Sequence, residues 1–353
     1  MKFAVIPWVE SLMKDHLFEV DNAIENPDNR YTPYSDMKAE FDRRGDQFHT
    51  IDIYESLEEI DWFLFFEQNP VWMEQIIRAG KSSRMVYCNA EPPAVYPWNS
   101  PEGFKKLGKY FPYIMTWNDE WVDLRTVFKR TIPYYFEDHR EPVPWESRKL
   151  LTSISGNKKS TDKNELYSER ERVISYFEKN EKEQFDFYGT GWNRERHPAY
   201  GGTVVSKAEV MKKYKFAICF ENSRNLPGYI TEKILDCFTS GIVPVYAGAP
   251  NVKHYIPEEA FIDYFRFESL DELDRFLNNI TEEGYQKYLQ AADVFLKSSG
   301  VEIFTGRKYA ECVYELAKHE KEFQVRGTDY CRLIMENRMS RIRKKIKRIL
   351  IRN

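Results

Sequence analysis

Cysteine is scarce and badly placed for cross-linking: the five residues (Cys88, Cys219, Cys237, Cys312 and Cys331) are scattered, odd in number and never in a Cys-x-x-Cys pair. That excludes a disulfide framework and a structural zinc, and leaves reduced thiols packed as small hydrophobes. Glycine and proline are also sparse, 16 and 17 in 353 residues, which excludes collagen-like and low-complexity chains. No apolar run approaches the roughly 20 residues that span a bilayer. The densest, Trp62 to Phe66, has the length of a strand. The opening MKFAVIPWVESLMKD is broken by Pro7 and Glu10 and has no small-residue cleavage site, so a secretory signal is not expected and a cytoplasmic location is. Asp-x-Asp occurs nowhere, and the six histidines (His16, His49, His139, His197, His254, His319) include no pair at helical ligand spacing. Neither carboxylates bridging a divalent ion to a diphosphate nor a histidine metal site is therefore expected.

What remains is a folded chain, 42% hydrophobic and 31% charged, long enough for about two domains. Its net charge of −4 is uneven. The stretch from Cys331 to Asn353 has nine bases (Arg332, Arg338, Arg341, Arg343, Lys344, Lys345, Lys347, Arg348, Arg352) against Glu336, so the rest of the chain is strongly acidic. A uniformly basic nucleic-acid binder is excluded.

Lys2 to Pro7, Trp62 to Glu67 and Arg84 to Asn89 read as buried strands of a parallel sheet. Asn69 to Gly80 reads as a helix between two of them, with Pro70 near its start and Gly80 as its stop. The Pro-rich, polar stretch Tyr134 to Arg148 is the best domain boundary. Beyond it the pattern restarts, with strands at Lys149 to Ile154, Phe185 to Tyr188, Lys215 to Glu221 and Ile242 to Tyr246, and helices around Ser168 to Lys179 and Ile230 to Ser240. Alternation of this kind predicts two α/β units facing a cleft. The units expected are residues 1–140, 141–328 and a basic tail, 329–353.

The most informative stretch is KFAICFENSRNLPGYITEKILDCFTSGIVPVYAGAP, Lys215 to Pro250. A strand ends at Phe220, a polar loop follows, and a helix opens with Thr231 as N-cap beside Glu232 and Lys233. A helix start with a lysine suits a diphosphate, and Glu232 suits paired sugar hydroxyls. The same pair also suits the solvated face of an ordinary β-loop-α unit. Tyr188-Gly189-Thr190-Gly191-Trp192 could be a phosphate loop, but two glycines after a strand read more simply as a turn.

The string FENSRNLPGYITEK followed by GIVPVYAGAP resembles the signature of glycosyltransferase family 10, the α-1,3/4-fucosyltransferases. The resemblance implies a GT-B-like architecture, two Rossmann-like α/β domains about a central cleft, with the N-terminal half for the acceptor and the C-terminal half for GDP-fucose. It implies that Asn222, Tyr229, Glu232 and Lys233 hold the ribose and diphosphate of the donor. SISGN (Ser153 to Asn157) resembles the family's strand-ending element, and Arg172, four residues before Tyr176, matches its diphosphate-binding arginine. Arg170 is the alternative in the same row. YCNAEPP (Tyr87 to Pro93) places Glu91 at the acidic position proposed as general base, and TIPYYF (Thr131 to Phe136) resembles the segment closing the acceptor domain. The implied reaction is inverting transfer of fucose to a GlcNAc-type hydroxyl of an N-acetyllactosamine-like or lipopolysaccharide-like acceptor, through an α-1,3 or α-1,4 linkage. No cofactor is required on this reading, although a divalent ion could stimulate. Two other readings fit the same residues: a GT-B enzyme using another nucleotide sugar, or a non-catalytic, membrane-attached glycan-binding protein.

Among the tryptophans, Trp98 in the loop YPWNSP is expected at the surface as a sugar contact, with Trp8, Trp117 and Trp121 mostly core. In the tail, Met339, Ile342, Ile346 and Ile349 recur at helical spacing with bases on the other faces. This predicts an amphipathic helix, Met339 to Arg352, on an anionic membrane surface. The protein is then expected on the inner face of the membrane as a peripheral enzyme, without a nucleic-acid partner.

Overall fold

Two all-parallel sheets divide the chain between them. In the computed structural model, which describes residues 1–20 and 26–352 and from 340 onward the backbone alone, the first sheet has six strands. They are β1 (Lys2–Ile6), β2 (Gln47–Thr50), β3 (Trp62–Phe66), β4 (Met85–Cys88), β5 (Tyr113–Thr116) and β6 (Val127–Lys129), in the order β2-β1-β3-β4-β5-β6. The second holds β7 (Lys149–Ile154), β8 (Phe185–Tyr188), β9 (Tyr214–Phe220), β10 (Val243–Ala247) and β11 (Ile262–Asp263), in the order β11-β10-β9-β7-β8.

Parallel strands need helical crossovers on both faces, so their residues are buried on both sides. This is why β3 reads WFLFF with every residue buried. Its alternation is real nonetheless. Trp62, Leu64 and Phe66 face a cluster containing Phe41 of α1 (Thr32–Arg43) and Tyr309 and Val313 of α9 (Gly306–Ala317). Phe63 and Phe65 face Met73 and Ile76 of α2 (Pro70–Arg78), Phe104 and Leu107 of α3 (Pro101–Leu107) and Leu333 of α10 (Gly327–Arg352). Asn69 caps α2 by accepting the Trp72 N–H at 3.3 Å, Pro70 occupies the first turn, and Gly80 follows at φ +74°, as the sequence predicts.

The second sheet is layered the same way. Phe216, Ile218 and Phe220 face α4 (Tyr167–Asn180) and α7 (Leu270–Asn279), while Ala217 and Cys219 face α6 (Glu232–Thr239) and α8 (Glu282–Leu296). The short α5 (Lys207–Met211) leads into β9. Between the sheets, residues 134–148 hold no regular element beyond one helical turn at Trp145–Ser147.

The C-terminal limit of the second unit differs from expectation. Residues 306–317 do not belong to the donor half: α9 fills the core of the first lobe, so close to α1 that a Cβ on Gly306 would lie 1.9 Å from the Pro33 carbonyl. The start of α10 also docks on the first lobe, where Asn337 donates to the Pro70 carbonyl at 2.8 Å and to Glu74 at 2.9 Å. The expected basic tail 329–353 therefore begins inside a packed interface. Met339 is exposed, and the faces expected for Ile342, Ile346 and Ile349 lie outside the described side chains. Among the described residues no helix is long and apolar enough to cross a membrane.

Candidate functional site

Parallel strands end together, so functional loops gather at the carboxyl edge of each sheet. In the first lobe β4 ends at Cys88 and runs into a loop held from several sides. The Trp117 indole donates to the Ala90 carbonyl at 3.0 Å, and buried Arg130 donates to the carbonyl of Asn89. The N–H groups of Ala90 and Glu91 donate to one oxygen of Glu67 at 2.9 and 3.1 Å. Glu91 leaves this loop facing the second lobe. Burial pushes its carboxyl above the usual carboxylate range; Lys233 and Lys158 oppose the shift, while Glu232 and Glu67 reinforce it.

In the second lobe the chain leaves β9 at Phe220 and places Glu221 fully out of solvent. A buried carboxylate must be compensated, and Glu221 is: it accepts the Thr231 N–H at 2.8 Å and the Thr231 hydroxyl at 2.7 Å, and pairs with Lys233 at 3.2 Å. Thr231 caps α6 through the Lys233 N–H at 3.4 Å. Lys233 is thus pinned at the helix start. Burial would lower its pKa, but the Glu232 and Glu221 carboxylates outweigh burial and hold the ammonium well above an ordinary lysine. For Glu232 burial acts upward, and Lys233 and Lys207 overcome it to hold the carboxyl at about 2. Tyr229 packs against Trp117 of the other lobe, ring centres 4.7 Å apart. Gly228 precedes it at φ +79°, where a Cβ would lie 2.3 Å from the Trp117 carbonyl. Only glycine permits that approach.

The structure therefore joins the Glu91 loop to the segment that carries Tyr229, Glu232 and Lys233 through Trp117, with the backbone carbonyl of half-buried Asn222 accepting the Leu166 N–H at 3.1 Å. It does not bring Arg172 to that junction. That side chain is 56% exposed, paired with Glu169 at 2.5 Å and donating to the Tyr264 hydroxyl at 2.9 Å. Arg170, one helical face round, points inward: it donates to the Phe220 and Glu221 carbonyls at 2.7 and 3.1 Å, and its charge is felt at Lys233. Arg170 rather than Arg172 turns inward for a simple reason. Both lie near the start of α4, but only residue 170 sits on the stripe that faces β9.

Trp98, expected at the surface, is only partly exposed. It is half-buried against the first lobe's core with Lys106 5.5 Å from its ring centre, and its backbone leaves no room for a side chain at Gly103. The Tyr188 to Trp192 stretch is a turn braced on the SISGN segment, where Trp192 donates to the Ser155 carbonyl at 2.7 Å. Glu67 and Arg130 brace the site without having drawn attention in the sequence, and Trp117, read there as core, braces it with them. Glu67 alone left a trace, a lone acid closing an apolar run. Among the described residues no three His, Cys, Asp or Glu side chains gather as a metal-ligand set.

Two lobes with parallel sheets and a site at their facing edges define a GT-B glycosyltransferase fold. Solved structures agree: an α1,3-fucosyltransferase with GDP-fucose superposes with a TM-score of 0.53 at 16% identity over 92% of both chains. A T4 phage β-glucosyltransferase gives 0.55 at 10% identity, over 90% of this chain and 99% of that one. Residues 150–345 match the model of the glycosyltransferase family 10 (fucosyltransferase) C-terminal region, and the chain belongs to that family. Among curated relatives, the α-(1,3)-fucosyltransferase of Helicobacter pylori is 39% identical over 72 residues, 20% of this chain and 15% of that protein. The human 3-galactosyl-N-acetylglucosaminide 4-α-L-fucosyltransferase is 26% identical over 212 residues, 59% of this chain and 53% of its own length.

Proposed function

We propose that this protein transfers fucose from GDP-fucose to a hydroxyl of an N-acetyllactosamine-like or lipopolysaccharide-like glycan, with inversion, through an α-1,3 or α-1,4 linkage. The observation supporting this reading is that Trp117, whose indole holds the Ala90 carbonyl beside Glu91 at 3.0 Å, packs on Tyr229 just before Glu232 and Lys233, ring centres 4.7 Å apart. The acceptor hydroxyl gives its proton to the Glu91 carboxylate as its oxygen bonds to the sugar's anomeric carbon. The bond from that carbon to the diphosphate breaks, and its electron pair leaves with GDP. Arg170, Lys233 and the start of α6 receive the charge that develops on the diphosphate, and Glu232 and Asn222 hold the ribose. No resident metal ion is needed, because these cationic groups supply the stabilisation.

A panel of GDP, GDP-fucose, GDP-mannose, UDP-galactose and ADP, with and without EDTA, tests the donor. The first two are expected to raise the melting temperature, by about 2.7 kcal/mol of stabilisation at a hundredfold excess over Kd, whether or not EDTA is present. Preference for UDP would point to another nucleotide sugar, and no binding to a non-catalytic glycan-binding protein.

The basic end of α10 supports a further part of the reading, a peripheral enzyme on the cytoplasmic face of an anionic membrane. Because Leu333 and Asn337 are packed in the first lobe, the informative truncation falls after Met339. It is expected to abolish binding to phosphatidylserine vesicles and leave transfer to a soluble acceptor unchanged. Retained vesicle binding would refute the assignment.

A further inference from the structure

Glu67 follows directly on β3 and holds φ at +68°, a backbone conformation that residues with side chains rarely adopt. Four donors converge on its carboxylate. They are the N–H groups of Ala90 and Glu91 at 2.9 and 3.1 Å, the Asn99 amide at 3.0 and 3.2 Å, and the Tyr87 hydroxyl. Asn99, fully buried, also donates to the Glu91 carbonyl at 2.7 Å, and its amide oxygen lies 2.7 Å from the Tyr87 oxygen. Among the described residues no lysine or arginine pairs with Glu67, and its partners belong to the strand and loop that carry Glu91. A structural carboxylate could bind any donors nearby, but this one holds the N–H groups of residues 90 and 91 and, through Asn99, the carbonyl of residue 91.

We propose that Glu67, with Asn99, is the positioning residue of the reaction, fixing the backbone of the 89–91 loop so that the Glu91 carboxylate meets the acceptor hydroxyl. The assignment rests on the reading of Glu91 as general base. A carboxylate fits best, since the Ala90 and Glu91 N–H groups and the Asn99 amide only donate, and an amide would turn one of its own N–H groups toward Asn99. The groups that act on Glu91 are Lys233, Glu232, Lys158 and Glu67, with Tyr167 and Tyr229 close by. Of these, Glu67 alone also holds its backbone.

The test uses the full-length protein with GDP-fucose and N-acetyllactosamine. Glu67→Gln is expected to lower kcat by about 10- to 100-fold, the scale of a displacement near 1 Å at a reacting group. KM for GDP-fucose and the GDP-induced thermal shift should stay within twofold. Because a neighbouring negative charge is lost, the acid limb of kcat should also move to lower pH. A purely structural defect would lower kcat equally at every pH. If Glu67→Gln does not fold, Asn99→Ala is expected to produce the same split of kcat from KM. Unchanged kcat, a loss that is uniform with pH, or an equal loss of donor binding would overturn the proposal. Glu91→Gln, run in parallel, separates the two ideas. If it keeps transfer, the general base has been misassigned; if it is inactive while Glu67→Gln is normal, the positioning role alone fails.

Discussion

Glu91→Gln is expected to lower kcat by about 10²- to 10⁴-fold, the usual contribution of a well-placed general base, and to leave GDP affinity almost unchanged. The amide keeps the shape of the side chain and cannot accept the proton. Glu91 acts on the donor side through charge, at Lys233, Glu232 and Lys158, so its neutralisation leaves the diphosphate ligands in place. The pH dependence sharpens this expectation. The base works when deprotonated, so the wild-type rate rises with pH through the pKa of Glu91. Burial sets that value above the roughly 4.3 of a free glutamate. The variant should lose this limb altogether. Steady-state kinetics from pH 4 to 8, with calorimetric titration of GDP at pH 7, decide the matter; a variant with near-normal kcat would remove Glu91 from the mechanism.

The second large effect belongs to Lys233. Lys233→Ala is expected to weaken GDP binding by about 10- to 100-fold, the scale of one hydrogen bond to a charged group, and also to destabilise the fold. The second effect arises because Glu221 is fully buried and loses the cation 3.2 Å away. Removing one member of a buried pair costs roughly 3–5 kcal/mol. The Lys233 side chain keeps 26% exposure, so solvent screening reduces the expected loss to about 2–4 kcal/mol. Burial already raises the Glu221 pKa, and loss of Lys233 raises it further. A carboxyl whose pKa is higher folded than unfolded favours the folded state in acid and ceases to do so as pH rises through its folded value. The deficit relative to wild type should therefore be small near pH 4 and grow towards pH 8, as urea denaturation at the two pH values would show. Adding Glu221→Gln to Lys233→Met should restore much of the stability and none of the GDP affinity, separating the fold's need from the ligand's. A deficit independent of pH would mean that Glu221 is not the group left uncompensated.

The strands and the helix starts could be read from the sequence because their signals are local. Five apolar residues in β3 and the Thr-Glu-Lys start of α6 announce themselves within a few positions. Arg170 and Arg172 show where such reading stops. Both precede the apolar positions of α4 at plausible spacing, and only the position of β9 decides which one turns inward. Glu67 lies further out of reach, because its importance comes from partners 20 to 32 residues away that the sheet order β3-β4 brings alongside. The return of α9 was illegible for the same reason. Its apolar stripe shows that a face is buried and says nothing about which lobe buries it.

That return also bears on how the protein is made. The core of the first lobe, built on Phe3, Phe41 and Phe48, is completed by Tyr309, Val313 and Leu316. A ribosome adding about 5–20 residues per second reaches them roughly 10 to 35 seconds after residue 140. During that interval the nascent N-terminal half carries an uncovered aromatic face while the second lobe is still being synthesised, so the lobe finished first on the ribosome is the C-terminal one. The first lobe becomes whole only once residues 309–316 have emerged, and the period before closure is when this protein most needs a chaperone.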